Sequence, residues 1–243
     1  MRYKIVFSYD GTNYNGYQKQ PNLNTIQGNI ESALKYINNK NDTKFVSSGR
    51  TDKGVHANNQ VGHFNLDVDI TEYKLKCALN SLLPNDIHVK KAIVADDSFH
   101  ARYDVKTKEY LYLINLGEYN PITRNYIYQY NNKLDIEKMK IASKFFIGEH
   151  DFSAFCSNED KKEDNVRIIY DIIFKIENDI LSIRFIGNGF LKYMVRIMVG
   201  TLIEVGENKK KPEYIKYLLD EKDRTKVGHT ANSEGLYLDK VTY

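Results

Sequence analysis

The sequence has no tryptophan and only two cysteines, and each shortage narrows what the chain can be. Cys77 and Cys156 lack metal-ligand spacing, and a single pair of thiols makes no disulfide framework for 243 residues. One lies in a helical pattern and the other in a polar loop, as expected for reduced thiols in a cytoplasmic protein. No apolar run approaches the roughly 20 residues that a membrane helix needs, so no membrane partner is expected. The opening MRYKIVFSYD alternates like a strand and does not read as a signal peptide. Charge of one sign is scarce too. Thirty-five Lys and Arg face 32 Asp and Glu, and a net charge of +3 does not by itself argue for a nucleic-acid partner.

What remains is an ordinary globular composition, 42% hydrophobic and 28% charged. A chain of this length buries roughly 70–75% of the surface its unfolded form exposes, enough for one large domain or two small ones. Nineteen Tyr and 11 Phe are the unusual feature. AT-rich codon usage accounts for them together with the abundant Lys, Asn and Ile; aromatic stacking on RNA bases is the functional reading. Composition is compatible with both.

Periodicity organises the chain into two similar plans. Tyr3, Ile5, Phe7 and Tyr9 share one face of a strand over 2–9. Asn24 with Gln27 has the form of a capping box ahead of a helix carrying Ile26, Ile30, Leu34 and Ile37. Strands at 44–48 and 60–66, a helix capped by Thr71 and a strand at 87–94 complete βαββαβ. The second plan has a strand at 105–116, a helix at 134–147 with Asp135 as its cap, and strands at 166–177 and 181–186. An apolar helix at 190–205, a polar helix at 212–222 and a strand at 235–243 close it. Two successive ferredoxin-like, RRM-like split-βαβ halves are therefore expected, an α+β chain divided into 1–103 and 104–243. No RNP-like signature accompanies them, and fold alone does not specify function.

Chemistry concentrates in one connection. Ser47 to Ala57 is longer than a simple hairpin loop and brings together Arg50, Asp52, Lys53, His56 and three hydroxyls, with Gly49 and Gly54 beside them. A solvated turn on Asp52-Lys53-Gly54 is the plain alternative. Arg50, two residues before Asp52, can favour an ionised carboxylate, and an ionised carboxylate can act as a nucleophile.

The stretch Gly49-Arg50-Thr51-Asp52-Lys53-Gly54-Val55-His56-Ala57 resembles the active-site loop of the TruA family of tRNA pseudouridine synthases. Tyr9-Asp10-Gly11-Thr12 with Gly16-Tyr17-Gln18, Thr25-Ile26-Gln27, Phe99-His100-Ala101-Arg102-Tyr103 and Lys108-Glu109-Tyr110-Leu111-Tyr112 follow in the family's order. So do Gly148-Glu149-His150-Asp151-Phe152, Gly189-Phe190, Met194-Val195-Arg196 and Glu234-Gly235-Leu236-Tyr237-Leu238. Tyr17 stands where the family has Trp, and Thr230-Ala231-Asn232-Ser233 departs from its Thr-Ala-Pro-Ala-like form.

The resemblance implies the pseudouridine synthase fold, two halves around a central antiparallel sheet with an active-site cleft, and a homodimer. It also implies isomerisation of uridines 38, 39 and 40 in the anticodon stem-loop of tRNA, without metal or organic cofactor. By the same resemblance Asp52 is the nucleophile, Tyr110 stacks on the target base, and Arg50 supports base flipping. Tyr110 could equally be a core strand residue, since Tyr112 and Ile114 share its face. Arg196 stands in a helix apolar on nearly every side, so its charge needs a partner, Asp52 being the natural one; the alternative is an edge Arg reaching solvent. Phe99, His100, Ala101, Arg102 and Tyr103 read as a phosphate-contacting strip. Ser157 and Asn158 open a polar segment that reads as a tRNA-contacting loop or as ordinary solvated chain.

Other readings are open at this point. His56, His63 and His100 lack a familiar metal spacing. Ser48-Gly49-Arg50-Thr51 as an anion loop lacks the Gly-x-x-x-x-Gly-Lys-Ser/Thr pattern and runs into a strand. A non-catalytic RNA-binding protein would leave the dense loop unexplained, and the same chemistry on ribosomal RNA is the remaining alternative.

Overall fold

The computed structural model describes residues 1–157 and 164–243. Contacts divide the chain into a first unit, Met1–Lys106 with Tyr237–Tyr243, and a second unit, Thr107–Leu236. The fold class is α+β, with helices against mostly antiparallel strands. Among the described residues no helix is long and apolar enough to cross a membrane.

In the first unit, β1 (Arg2–Tyr9), α1 (Ile26–Ile37), β2 (Val46–Ser47), β3 (His56–Asn65), α2 (Glu72–Leu82) and β4 (Ile87–Val94) follow the expected βαββαβ order. β1 lies between β3 and β4, both antiparallel to it, and β2 pairs with β3 at Val46↔His63 and Ser47↔Gly62. This is the 4-1-3-2 order of a split-βαβ unit. Alternation along β1 buries Tyr3, Ile5, Phe7 and Tyr9, the face read from the sequence. Gly62 admits the Phe45 ring, which a Cβ there would meet at 2.1 Å, and Phe45 packs on Phe7 and Phe64.

The cap of α1 differs from the sequence reading. Thr25, extended at φ −138° and ψ 151°, accepts from Gly28 N, whereas Asn24 Oδ1 accepts from Asn29 Nδ2 and Gln27 Oε1 from Lys19 N. Both partners expected to form the capping box are used elsewhere. Thr71 caps α2 as expected.

The second unit holds β5 (Thr107–Asn115), β6 (Tyr128–Gln129), α3 (Ile136–Ser143), β7 (Gly148–Asp151), β8 (Val166–Glu177), β9 (Ile180–Gly187), α4 (Met194–Gly206) and α5 (Tyr214–Glu221). Its strands run β5-β9-β8-β7, with β6 parallel to β5. β6 and β7 have two and four residues, too short to show a period in the sequence. Asp135 accepts from Lys138 N at 3.1 Å and caps α3, which ends at Ser143; a short 3₁₀ turn then runs to Phe146.

The apolar helix starts later than its composition indicates. Tyr193 sits at φ +64°, a left-handed conformation that breaks helical continuity, so residues 190–193 form a loop and Lys192 is not on α4. α4 is buried almost throughout, and at Gly200 the His229 carbonyl comes so close that a Cβ would meet it at 2.1 Å.

Residues Tyr237–Tyr243, which hold most of the closing strand β10 (Leu236–Thr242), group with the first unit. The strand runs parallel to the start of β3, pairing Tyr237 with His56 and Leu238 with Ala57. Asp239 adds two contacts, its carboxylate accepting from Asn58 Nδ2 at 2.7 Å and its carbonyl from Asn59 Nδ2 at 2.8 Å.

Candidate active site

The loop between β2 and β3 is fixed on both sides of Asp52. Ser48 N donates to the Val61 carbonyl, and Ser48 Oγ donates to Gln60 Oε1 at 2.6 Å. Gln60 Nε2 in turn donates to the Gly49 carbonyl at 3.0 Å, so one buried amide holds two consecutive residues of the loop. On the next residues, the Tyr9 hydroxyl shares a buried 2.8 Å hydrogen bond with Thr51 Oγ1, and the Thr51 carbonyl accepts from Tyr17 N at 3.1 Å. Val55 N closes the turn on the Asp52 carbonyl at 3.2 Å, with Gly54 at φ +77°.

Two glycines of the segment after β1 let this loop approach. A Cβ at Gly11 would lie 2.0 Å from the Val55 carbonyl oxygen. Gly16, at φ +88°, lies against Thr51, Asp52 and Lys53 backbone. Asp52 itself is half-buried, between the buried Thr51 and the exposed Lys53. The backbone that carries the Asp52 carboxylate is thus held on both sides, and a held backbone lowers the cost of orienting a side chain for chemistry.

Arg50 lies two residues before Asp52 in this loop. It is exposed and forms no ion pair or hydrogen bond with any described residue, so its nearness to Asp52 in sequence is not a side-chain pairing. Tyr9 is a neutral phenol. Burial raises its pKa above the ordinary range, the Asp52 charge adds to this, and Thr51 and Gln60 as hydrogen-bond partners act the other way.

The histidines serve the backbone. His56 Nδ1 lies 3.1 Å from both Gly11 N, which can donate to it, and Asp10 Oδ1; its ring stacks on Tyr237. Among the described residues no group of three or more His, Cys, Asp and Glu side chains is arranged to hold a metal ion.

Phe99 to Tyr103, in the first unit, is a tight turn with two faces. His100 Nδ1 accepts from both Arg102 N and Tyr103 N at 3.2 Å, and His100 N donates to Asp104 Oδ2. Phe99 packs on Tyr243 at 5.0 Å and under Lys4 Nζ. Phe99, His100 and Ala101 therefore build the turn, while Arg102 and Tyr103 stand exposed on it.

In the second unit, Tyr110 lies on β5 opposite Phe185 and meets the Phe190 ring edge-on at 5.0 Å. The loop that breaks α4 delivers Phe190 there, and its Lys192 carbonyl accepts from Ser157 N at 3.3 Å. Asn158 lies outside the described residues. Arg196 is half-buried at the start of α4; its Nε donates to the Ala231 carbonyl at 2.7 Å, and its guanidinium lies over Tyr193 at 5.3 Å. Ala231 N donates back to the Arg196 carbonyl at 3.0 Å.

Comparison with known proteins decides what this arrangement belongs to. A family profile described as tRNA pseudouridine synthase matches residues 5–104 and 142–243. The chain belongs to that family. Its reaction is the isomerisation of uridine to pseudouridine. The protein named tRNA pseudouridine synthase A of Bacillus pumilus is 46% identical over 245 residues, spanning 100% of this chain and 99% of that one. The proteins of that name from Caldicellulosiruptor saccharolyticus and Bacillus subtilis are 45% and 44% identical over 240 and 245 residues, covering 98% and 100% of this chain and 98% and 99% of theirs.

For this pseudouridine synthase, the first matched block holds Arg50, Asp52 and the 99–103 turn, and the second holds Ser157 and Arg196, with Tyr110 between them. Sequence reasoning missed Tyr9 and Gln60 as supports of the loop. Both signals were present. A buried strand tyrosine needs a partner for its hydroxyl, and a glutamine inside an apolar strand needs several.

Proposed function

We propose that this pseudouridine synthase acts on the anticodon stem-loop of tRNA and that Asp52 is its nucleophile. The N1–C1′ bond of uridine breaks, the uracil turns, and a C5–C1′ bond forms; C5 gives its proton to solvent and N1 gains one. Atoms and electrons balance without an external reductant or oxidant. Asp52 attacks either C1′ of the sugar or C6 of the base. The observation that carries the assignment is the immobilised loop, in which residues 48, 49, 51 and 55 are tied and the half-buried carboxylate of Asp52 lies among them.

A uridine in or beside a stem must leave the stack, at a cost of a few kcal/mol. The unengaged guanidinium of Arg50 is suited to fill the vacated space and hold the backbone. Tyr110 is proposed to stack on the extruded base, Arg196 to supply positive charge for the carboxylate chemistry, and Ser157 and Asn158 to contact the RNA. With a net charge of +3, binding rests on local cations, of which Arg102 is one. The enzyme is read as a cytoplasmic homodimer.

Mapping pseudouridines in tRNA and ribosomal RNA from cells lacking the gene tests the substrate. Loss confined to anticodon-arm uridines supports the proposal, and loss confined to ribosomal RNA overturns it.

A further inference from the structure

One residue in the first unit is held through both of its backbone polar groups. Ala101 is fully buried; its N–H donates to His63 Nδ1 at 3.1 Å, and its carbonyl accepts from the Tyr243 hydroxyl at 2.7 Å. His63 lies on β3 and Tyr243 follows β10, so two separate segments hold the two peptides that flank the Ala101 Cα. The next two residues, Arg102 and Tyr103, are the exposed ones.

The surroundings make this grip specific. Burial pushes the His63 pKa down to about 4, with His100 and Arg2 acting the same way and Asp104 against them, so the ring is a neutral acceptor near neutral pH. Burial also raises the Tyr243 pKa, which keeps that phenol a donor. Further along the turn, Arg2 Nη1 donates to the carbonyls of Asp97 and Phe99, the latter at 3.0 Å. Lys4 Nζ sits 4.6 Å from the Phe99 ring centre and 4.1 Å from that of Tyr243. Buried backbone groups need partners in any turn; here those partners also fix the backbone directly before Arg102. A turn that must present a cation at a fixed place needs its backbone held.

We propose that His63 and Tyr243 are positioning residues for RNA binding, holding the backbone on both sides of the Ala101 Cα so that Arg102 and Tyr103 meet the RNA backbone in one orientation. The inference rests on the reading of the 99–103 turn as an RNA contact. It adds that two residues which do not themselves face the RNA set its affinity, and that they act through Arg102.

The test is the tRNA dissociation constant across a salt series for the full-length protein and its variants. Arg102→Ala should weaken binding several-fold and flatten the salt dependence by about one contact, a slope change of roughly 0.7 to 0.9. Tyr243→Phe, which removes a single oxygen, and His63→Leu should each weaken binding roughly fivefold, the size of one neutral hydrogen bond. Neither should weaken binding further when Arg102 is already Ala. His63→Asn, whose Oδ1 can accept from Ala101 N in place of Nδ1, should stay within about twofold of the wild type. If Arg102→Ala changes neither affinity nor slope, the reading of the turn as an RNA contact fails. If Arg102→Ala acts as expected but Tyr243→Phe leaves affinity unchanged, or its loss simply multiplies with that of Arg102→Ala, the positioning role is overturned.

Discussion

Tyr9 and Thr51 share a buried 2.8 Å hydrogen bond one residue before Asp52, which ties the end of the first strand to the loop that carries Asp52. The neutral phenol and the Gln60 amide together satisfy polar groups of this bend. The order of the loop therefore depends on buried groups of the neighbouring strands.

Tyr9→Phe isolates one of these ties. It removes a hydroxyl and leaves the ring packing on Phe7 and Tyr17 in place. Stability should fall by about 1 kcal/mol, the usual worth of such a bond. The single-turnover rate should fall roughly tenfold, equivalent to about 1.4 kcal/mol of barrier, while tRNA affinity holds within about twofold. An unchanged rate would show that Asp52 needs no support from Tyr9.

Tyr17 makes the opposite prediction. Its ring is buried against Tyr9, but among the described residues its hydroxyl finds no well-formed hydrogen bond, Ser47 being the neighbouring hydroxyl. An unpaired buried hydroxyl costs about 1–3 kcal/mol, so Tyr17→Phe should raise the denaturation midpoint. A clear loss of stability in chemical denaturation would show that the hydroxyl is satisfied in solution.

His63 sets a pH dependence of stability. Its folded pKa of about 4 lies below the unfolded value of 6.5, so between these values the unfolded chain binds the extra proton. The neutral ring's contribution is complete above about pH 6.5, declines as pH falls, and is gone below about pH 4. His63→Asn, which cannot titrate, should flatten the stability curve in that window. A curve parallel to the wild type would assign the acid sensitivity to other groups.

How far the sequence reveals this molecule depends on the kind of pattern involved. The alternation of Tyr3, Ile5, Phe7 and Tyr9 and the helical spacing of Ile26, Ile30 and Leu34 were legible because burial repeats with the backbone's own period. The start of α4 was not, because Phe190 to Tyr193 is as apolar as a helix and the break lies in one left-handed residue. β7, Gly148–Asp151, has no apolar side chain to mark it. The Asp52 loop was visible by its crowding of functional groups, yet its supports were hidden in three separated segments. Arg50 illustrates the limit: two residues from Asp52 in sequence, it points to solvent without pairing.

The most direct test of the central claim compares Asp52→Asn with the wild type in tritium release from tRNA labelled at C5 of uridine, alongside tRNA binding. The substitution keeps the side chain's size and removes its nucleophilic charge. The account predicts no detectable release above background, a dissociation constant within a few-fold of the wild type, and an unchanged denaturation midpoint. Release at a wild-type rate by Asp52→Asn would contradict it and send the search for the nucleophile elsewhere in the chain.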